Sequence, residues 1–319
     1  MSEIPLTTYQ PEDLEAVVAL LRRALPAEPI TTPRFARIVL LDPNFAPSGT
    51  FVARQGEEVC GFLLALARQR PLEDAPLETD RGWITLFAVA EEARGQGIGG
   101  ALLNAAEGWL RQRGRTTVWI SPYAPGYWTP GVDEAAYPAG LAFLQRRGYE
   151  TVTRPLSMDA SLVGWRPPEW AAEREAALKP MGVRFEPFTP PHIGPLLDFL
   201  RREFPGDWQR HVRETLHAIL AGRRPAEELL LAMEGGAVIG FAQSEGERFG
   251  PFGVGAGERG RGVGAVLLFQ ALDGMRARGL HNAWFLWTND ATADRLYRSA
   301  GFRETRRYAV LRKDLTSSV

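Results

Sequence analysis

Cysteine is nearly missing from this 319-residue chain, which has Cys60 alone. A single thiol excludes a disulfide within the chain and leaves a thiolate-built metal cluster without ligands. Cys60 lies in the strand-like run EVCGFLLALA, where the expectation is an inert buried thiol. No apolar run approaches the roughly 18 residues of a membrane span, so no membrane segment is expected. MSEIPLTTYQ at the start has neither a basic nor an apolar stretch, so no secretory signal is expected and the cytoplasm is the expected location. With net charge -1 and no long Lys/Arg run, the chain offers no field for nucleic acid. Histidine is scarce as well, at four. His211 and His217 share the helical pattern DWQRHVRETLHAIL, but six positions turn them about 600° apart, which is no metal-binding pair. His192 precedes a helix and His281 follows one; all four are expected at surface or capping positions, with no metal.

What the chain does have is one pattern written twice. Its length suits about two domains, and 45% apolar with 24% charged residues is ordinary globular composition. The first half reads as a helix (PEDLEAVVALLRRALP), the strands TFVARQ and EVCGFLLALA, and the strand GWITLFAV. The turn ARGQGIGG, a helix and the strand TVWIS follow. The second half reads PHIGPLLDFLRREFP, then ELLLAME and AVIGFAQSE, then FGPFGV. Its turn is ERGRGVGA, followed by a helix and AWFLW. The halves close on FLQRRGYE and LYRSAGFRE. After the turns, Ile98, Leu102, Ala106, Trp109 and Leu110 share a helical face, as do Gly264, Leu268, Ala271, Leu272 and Met275. Gly114 and Gly279 follow those helices as left-handed caps. The first half carries longer loops, notably SPYAPGYWTPGVDE. GWRPPEWAAEREAALKP reads as a linker around a short charged helix. Domains are therefore expected at 1–160 and 183–319, with 161–182 between them.

Three uses compete for the glycines. Gly95, Gly97 and Gly100 match the dinucleotide-fold spacing, and Gly260, Gly262 and Ala265 match its alanine variant. Yet the strands end at Val89 and Val254, six residues early, and neither RTTVWI nor LHNAWF supplies the acid that a ribose needs. A P-loop needs Gly-Lys-Ser/Thr, which neither copy has. The third use fits both copies: glycines let amides approach a diphosphate at a helix head, and Arg94 or Arg259 adds charge.

The pattern Arg-x-x-Gly-x-Gly after a strand ending in valine, with a closing helix ending in Gly-aromatic, resembles the GNAT acetyltransferases across both halves. The tandem arrangement is similar to mycothiol synthase. The resemblance implies an α/β (α+β) fold of two tandem GNAT domains, each a mixed, mainly antiparallel sheet flanked by helices. It also implies acetyl-CoA as cofactor. The diphosphate would lie on Arg94, Gly95, Gln96, Gly97, Ile98, Gly99 and Gly100, and on Arg259, Gly260, Arg261, Gly262, Val263, Gly264 and Ala265. The pantetheine arm would lie along Phe87, Ala88 and Val89, and along Phe252, Gly253 and Val254.

The resemblance further implies a catalytic acid four residues before the closing glycine. The second half has Tyr297 there, but the first has Leu144, so catalysis is expected in the C-terminal half. Asn289 is expected to hydrogen-bond the CoA side, and Glu245 or Glu247 is nominated as base. For the first half, either a degenerate domain that only binds CoA or a substitute acid from Tyr123, Tyr127 or Tyr137 stays open. The inserted loop could equally pack Trp128 against the neighbouring domain. With no cysteine or serine nucleophile beside a base, transfer is expected to be direct. The expected partner is a small-molecule or peptide amine, with neither nucleic acid nor membrane. Either a monomer, as a pseudo-dimer of domains, or a homodimer fits. A non-catalytic acyl-CoA-binding protein is the alternative.

Overall fold

The structure is a computed structural model and describes residues 5–316. Its strands are β1 (Leu6–Thr8), β2 (Thr50–Gln55), β3 (Glu58–Ala67), β4 (Arg81–Val89), β5 (Thr117–Ile120), β6 (Val132–Asp133) and β7 (Glu150–Thr153). Then come β8 (Leu156–Ser161), β9 (Val183–Pro187), β10 (Leu229–Glu234), β11 (Ala237–Glu245), β12 (Arg248–Val254), β13 (Asn282–Thr288) and β14 (Arg303–Asp314). The α-helices are α1 (Leu14–Ala24), α2 (Thr32–Phe35), α3 (Ile98–Gln112), α4 (Pro138–Arg146), α5 (Glu169–Leu178), α6 (Ile193–Glu203), α7 (Asp207–Leu220), α8 (Val263–Ala277) and α9 (Asp290–Thr292).

Two compact units divide the described residues. One holds 5–71, 77–155 and 307–316; the other holds 72–76 and 156–306. The sequence repeats, expected at 1–160 and 183–319, divide the chain differently from these units. Residues 1–4 and 317–319 lie outside the described residues.

In the first unit the sheet runs β1-β2-β3-β4-β5-β14, with β7 and β6 also paired to β14. In the second it runs β9-β10-β11-β12-β13-β8. All neighbours are antiparallel except β4 with β5 and β12 with β13. These two parallel pairs are joined through α3 and α8, because parallel strands need a crossover of a dozen or more residues. Each sheet is completed by a strand from the other half of the chain. The last strand, β14, pairs with β5 through Leu311↔Ile120 to Asp314↔Thr117, while β8 pairs with β13 through Asn282↔Ser161 to Thr288↔Leu156.

Side chains fasten β14 in the first unit. Lys313 Nζ donates to both carboxylate oxygens of the buried Glu107 on α3, at 2.9 and 3.0 Å. Tyr149 donates its hydroxyl to the same carboxylate at 3.1 Å, and Arg111 Nε donates to the Leu315 carbonyl at 3.2 Å. A buried carboxylate with a cation and a hydroxyl on it has its charge met, which is what makes its burial tolerable.

The repeat helices bury what their period dictates, with one difference. On α3, Ile98, Leu102, Ala106, Trp109 and Leu110 are all buried. On α8, Leu268, Leu272 and Met275 are buried, but Gly264 and Ala271 are half-buried, whereas Val266, Leu267 and Phe269 join the core. The stripe is wider because α8 is packed on two sides. Trp165 stacks on Phe269 at 6.1 Å and Trp170 meets it edge-on at 4.9 Å, both from the segment between the repeats. Both helices end in glycines with left-handed φ, +71° at Gly114 and +81° at Gly279. The Cys60 thiol is buried in the first core, and burial pushes its pKa up.

Candidate active site

The site begins where a strand leaves its neighbour. β4 pairs with β5 only from Arg81 to Ile84, so the edge of Phe87, Ala88 and Val89 faces no strand on that side. In the second unit the ladder between β12 and β13 is the single pair Arg248↔Trp284, which leaves Phe252, Gly253 and Val254 with the same open edge. An extended ligand arm can hydrogen-bond such an edge as an added strand would.

Each open edge leads to a short 3-10 turn, Glu91–Ala93 or Ala256–Glu258, and then to the glycines. Gly95 and Gly97 have φ of +77° and +87°; Gly260 and Gly262 have +82° and +94°. L-residues pay a steric penalty there, and glycine does not. Among the described residues, no backbone N–H of residues 95–100 or 259–264 has an intramolecular acceptor. A helix head leaves up to four amides open, and here the turn residues before it bring each run to six. The run combines the positive end of a 15-residue helix with an amide-lined concavity, the arrangement that holds a phosphate.

Small residues bring the helix heads close to their strands. A Cβ on Gly99 would sit 3.4 Å from the Phe143 and Phe87 rings, and one on Gly264 would sit 3.3 Å from Val254 Cγ2. Gly100 faces open space. Ile98 and Val263 are buried as the first core residues of their helices, and the Ala265 amide already bonds the Gly262 carbonyl at 3.1 Å.

The polar side chains of the two turns are arranged alike. Gln96 accepts from Gln55 Nε2 at 2.7 Å and donates to the Glu92 carbonyl at 3.0 Å. Its counterpart Arg261 is held by Glu234 at 2.7 and 3.0 Å and by Glu258, and this pairing lowers the Glu234 pKa. Gln55 and Glu234 both end the strand two before the site strand. Arg94 donates from Nε to the Val89 carbonyl at 3.3 Å, while Arg259 is exposed with no hydrogen bond among the described residues.

Tyr297 is brought to the open edge of β12. Its ring lies 6.4 Å from Phe252, 4.5 Å from Phe285 and 5.6 Å from Phe302, and the residue is 8% exposed. Its hydroxyl has no hydrogen bond among the described residues, and burial alone raises its pKa, so it is protonated at neutral pH. The turn carrying it closes on Gly301, with φ +90°. In the first unit the corresponding Leu144 is a buried core residue without a proton to give.

The loop tyrosines are occupied elsewhere. Tyr123 is fully buried, accepting from Asn44 Nδ2 and donating to Asp42 Oδ1, both at 2.8 Å. Tyr137 accepts from the Ala27 amide at 3.2 Å, and Tyr127 is half-buried. Trp128 lies in the core of its own unit beneath the Arg34 guanidinium, 4.6 Å away. Asn289 uses Oδ1 to cap α9 by accepting from the Thr292 amide at 2.8 Å, which leaves its Nδ2 for a ligand.

The nominated bases have other partners. Glu247 accepts from the amides of His281 and Asn282 at 3.2 and 3.1 Å, and the exposed Glu245 lies 3.8 Å from Arg224. His217 and His281 are exposed, and His192 caps its turn by accepting from the Thr189 amide at 3.0 Å. His211 departs from expectation. It is not at the surface but half-buried against β12, where Arg248 Nη1 faces its Nε2 at 3.4 Å. Burial first, and then Arg248, push its pKa down to about 4. The reason is its place beside Val212 on the buried face of α7, a period that the sequence did show.

Gln243 carried no sequence signal. It lies on β11 opposite a bulge, since Ala242 pairs with Phe252 and Ser244 with Phe249. It is fully buried, and neither side-chain amide atom has a partner among the described residues. The first unit repeats the device: Leu64 pairs with Leu86 and Ala65 with Ile84, and the buried Thr85 hydroxyl between them also has no partner among the described residues. Both site strands thus carry an irregularity with unspent hydrogen-bonding capacity beside it. Among the described residues, no helix is long and apolar enough to cross a membrane, and no group of three or more His, Cys, Asp or Glu could hold a metal.

A family model described as "Acetyltransferase (GNAT) family" matches residues 14–127 and 194–302. No curated protein sequence matches the chain. Among solved structures, the chain is similar to a GCN5-related N-acetyltransferase from Sphaerobacter thermophilus. The TM-score is 0.73 at 20% identity, covering 100% of this chain and 98% of that one. It is similar to a tandem GNAT protein from the clavulanic acid biosynthesis pathway, with TM-score 0.62, 17% identity, and 99% and 100% covered. It is also similar to the glucosamine N-acetyltransferase region of a fungal multi-domain GH3 beta-N-acetylglucosaminidase, with TM-score 0.77 and 18% identity. That match covers 98% of this chain and 38% of the fungal protein, so this chain spans well under half of that length. At these identities the likeness is one of fold.

Proposed function

The chain belongs to the acetyltransferase (GNAT) family, and from that premise we propose that it transfers acetyl from acetyl-CoA to an amine, directly, in the second unit. The observation that carries this reading is the Tyr297 hydroxyl, protonated, without a hydrogen bond among the described residues, and packed against the open strand edge through Phe252. The first unit offers Leu144 instead.

The residues fit the cofactor. Six open amides in each turn, residues 95–100 and 259–264, suit the diphosphate, with Arg94 and Arg259 adding charge. The edges of Phe87–Val89 and Phe252–Val254 suit the amide-bearing arm, and Asn289 Nδ2 is a further donor. Acetyl-CoA supplies an activated acyl thioester. The chain's own residues then bind and orient, and Tyr297 holds at its oxygen the proton that a leaving thiolate needs. An amine of pKa near 10.4 must also lose a proton, about 4.6 kcal/mol uphill at pH 7. Of the nominated acids, Glu247 already serves two amides with its carboxylate, and His211 is a poor acceptor because burial and Arg248 push its pKa down to about 4, which leaves the exposed Glu245 for that proton. The acceptor is proposed as a small-molecule or peptide amine.

The test is titration calorimetry of the whole chain with acetyl-CoA, together with thiol release over a panel of amines. Two binding sites and amine-dependent thiol release are expected. Binding without release on any amine would replace transfer with a non-catalytic acyl-CoA-binding role, and no affinity for any CoA derivative would end the reading.

A further inference from the structure

The segment between the repeats does more than connect them. Helix α5 belongs to the second unit and is fixed on α8. Trp165 and Trp170 pack on Phe269, Trp165 Nε1 donates to the Ala300 carbonyl at 2.9 Å, and Ala171 and Leu178 are buried. This anchoring sets Arg174 against the head of α8. A Cβ placed on Gly262 would stand 2.5 Å from Arg174 Cδ, 2.9 Å from its Cγ and 3.1 Å from its Nε. Gly262 is the left-handed residue in the middle of the open-amide run. A glycine is therefore required there twice over, for its φ and for the room that Arg174 takes.

The Arg174 guanidinium is exposed and makes no hydrogen bond or ion pair among the described residues. It is thus unlike Arg261 of the same turn, which Glu234 and Glu258 already hold. A fixed backbone, a stem lying on the cradle glycine and an uncommitted planar cation make a phosphate ligand ready before the phosphate arrives.

We propose that Arg174, from the linker helix, is a phosphate-binding residue of the second cradle, so that a CoA-type ligand is held there by a side chain from outside the repeat. The proposal rests on the acetyl-CoA reading above and names a contact the repeat pattern does not contain. Two phosphate sources share the chemistry, the diphosphate and the 3′-phosphate of CoA.

The experiment is titration calorimetry of the full chain and its Arg174→Ala and Arg174→Lys variants with acetyl-CoA and with dephospho-CoA, which lacks the 3′-phosphate. Losing one charge-assisted contact weakens a site roughly 10- to 100-fold. The expected result is that Arg174→Ala weakens one of two sites by that factor and leaves the other unchanged, while Arg174→Lys recovers part of the loss. An equal loss with dephospho-CoA assigns the contact to the diphosphate, and a loss confined to CoA itself assigns it to the 3′-phosphate. Unchanged or tighter binding in Arg174→Ala, with an unchanged melting temperature, overturns the proposal while leaving the cradle reading intact. Failure of the unaltered chain to bind either ligand overturns both.

Discussion

Two buried tyrosines, Tyr297 and Tyr123, should answer the same substitution in opposite ways. Tyr297→Phe removes a hydroxyl with no hydrogen bond among the described residues and keeps the ring against Phe285 at 4.5 Å and Phe302 at 5.6 Å. Stability should therefore stay within about 0.5 kcal/mol, because no buried partner is stranded. If that hydroxyl protonates the departing thiolate, its loss should lower kcat by about 100-fold or more, some 2.7 kcal/mol of barrier. Tyr123→Phe removes the hydroxyl shared by Asn44 Nδ2 and Asp42 Oδ1 at 2.8 Å each. That should cost about 1 to 3 kcal/mol of stability, or roughly 2 to 4 °C of melting temperature per kcal/mol, with turnover per folded molecule unchanged. The assay pairs thermal unfolding with thiol release under saturating amine. A folded Tyr297→Phe protein that turns over at the original rate refutes the acid assignment. A Tyr297→Phe variant that melts as early as Tyr123→Phe would mean that the hydroxyl has a structural partner after all.

Other outcomes follow from the same geometry. Gly97→Ala places a Cβ at φ +87°, which should cost about 1 to 2 kcal/mol and remove one of the two acetyl-CoA sites in titration calorimetry. His211 has its pKa depressed from 6.5 to about 4, so the unfolded chain binds the extra proton between those values. Stability should accordingly be level above pH 6.5 and fall as pH drops toward 4, by up to about 3 kcal/mol, a slope that urea unfolding of His211→Gln should lack. Lys313→Met leaves the Glu107 carboxylate buried without its nearest cation and should cost about 3 kcal/mol; adding Glu107→Gln should restore much of it. If the double variant were no better than the single, the ion pair would not be what fastens β14. Cutting the chain between the repeats is a poor test of either half, because it takes β14 from the first sheet and β8 from the second.

The elements that bear the site were legible because each is fixed by neighbours in sequence. AVIGFAQSE reads as a strand and is β11 residue for residue; DWQRHVRETLHAIL is α7 in the same way. The spacing from Tyr297 to Gly301 depends on one turn closed by a left-handed glycine, and that turn forms wherever the helix is placed. For His211, spacing from His217 points to the surface, whereas its position beside Val212 on α7 turns it inward. Gln243 and Arg174 were invisible. A glutamine in an apolar strand reads as a minor irregularity, and an arginine on a charged linker helix reads as solvated.

The sequence by itself determined the doubled fold, the two glycine turns and the one half with a tyrosine at the closing helix. Hydrophobic period and left-handed glycines act over a few residues, and those few residues carry the information. The tertiary structure decided which strand completes which sheet, what stands opposite each bulge and which arginine lies on Gly262. LSMDAS and RETRRYAVLRKD each carry a strand pattern that either sheet could accept. Only the non-local pairing of β8 with β13 and of β14 with β5, with Lys313 reaching Glu107, selects between them.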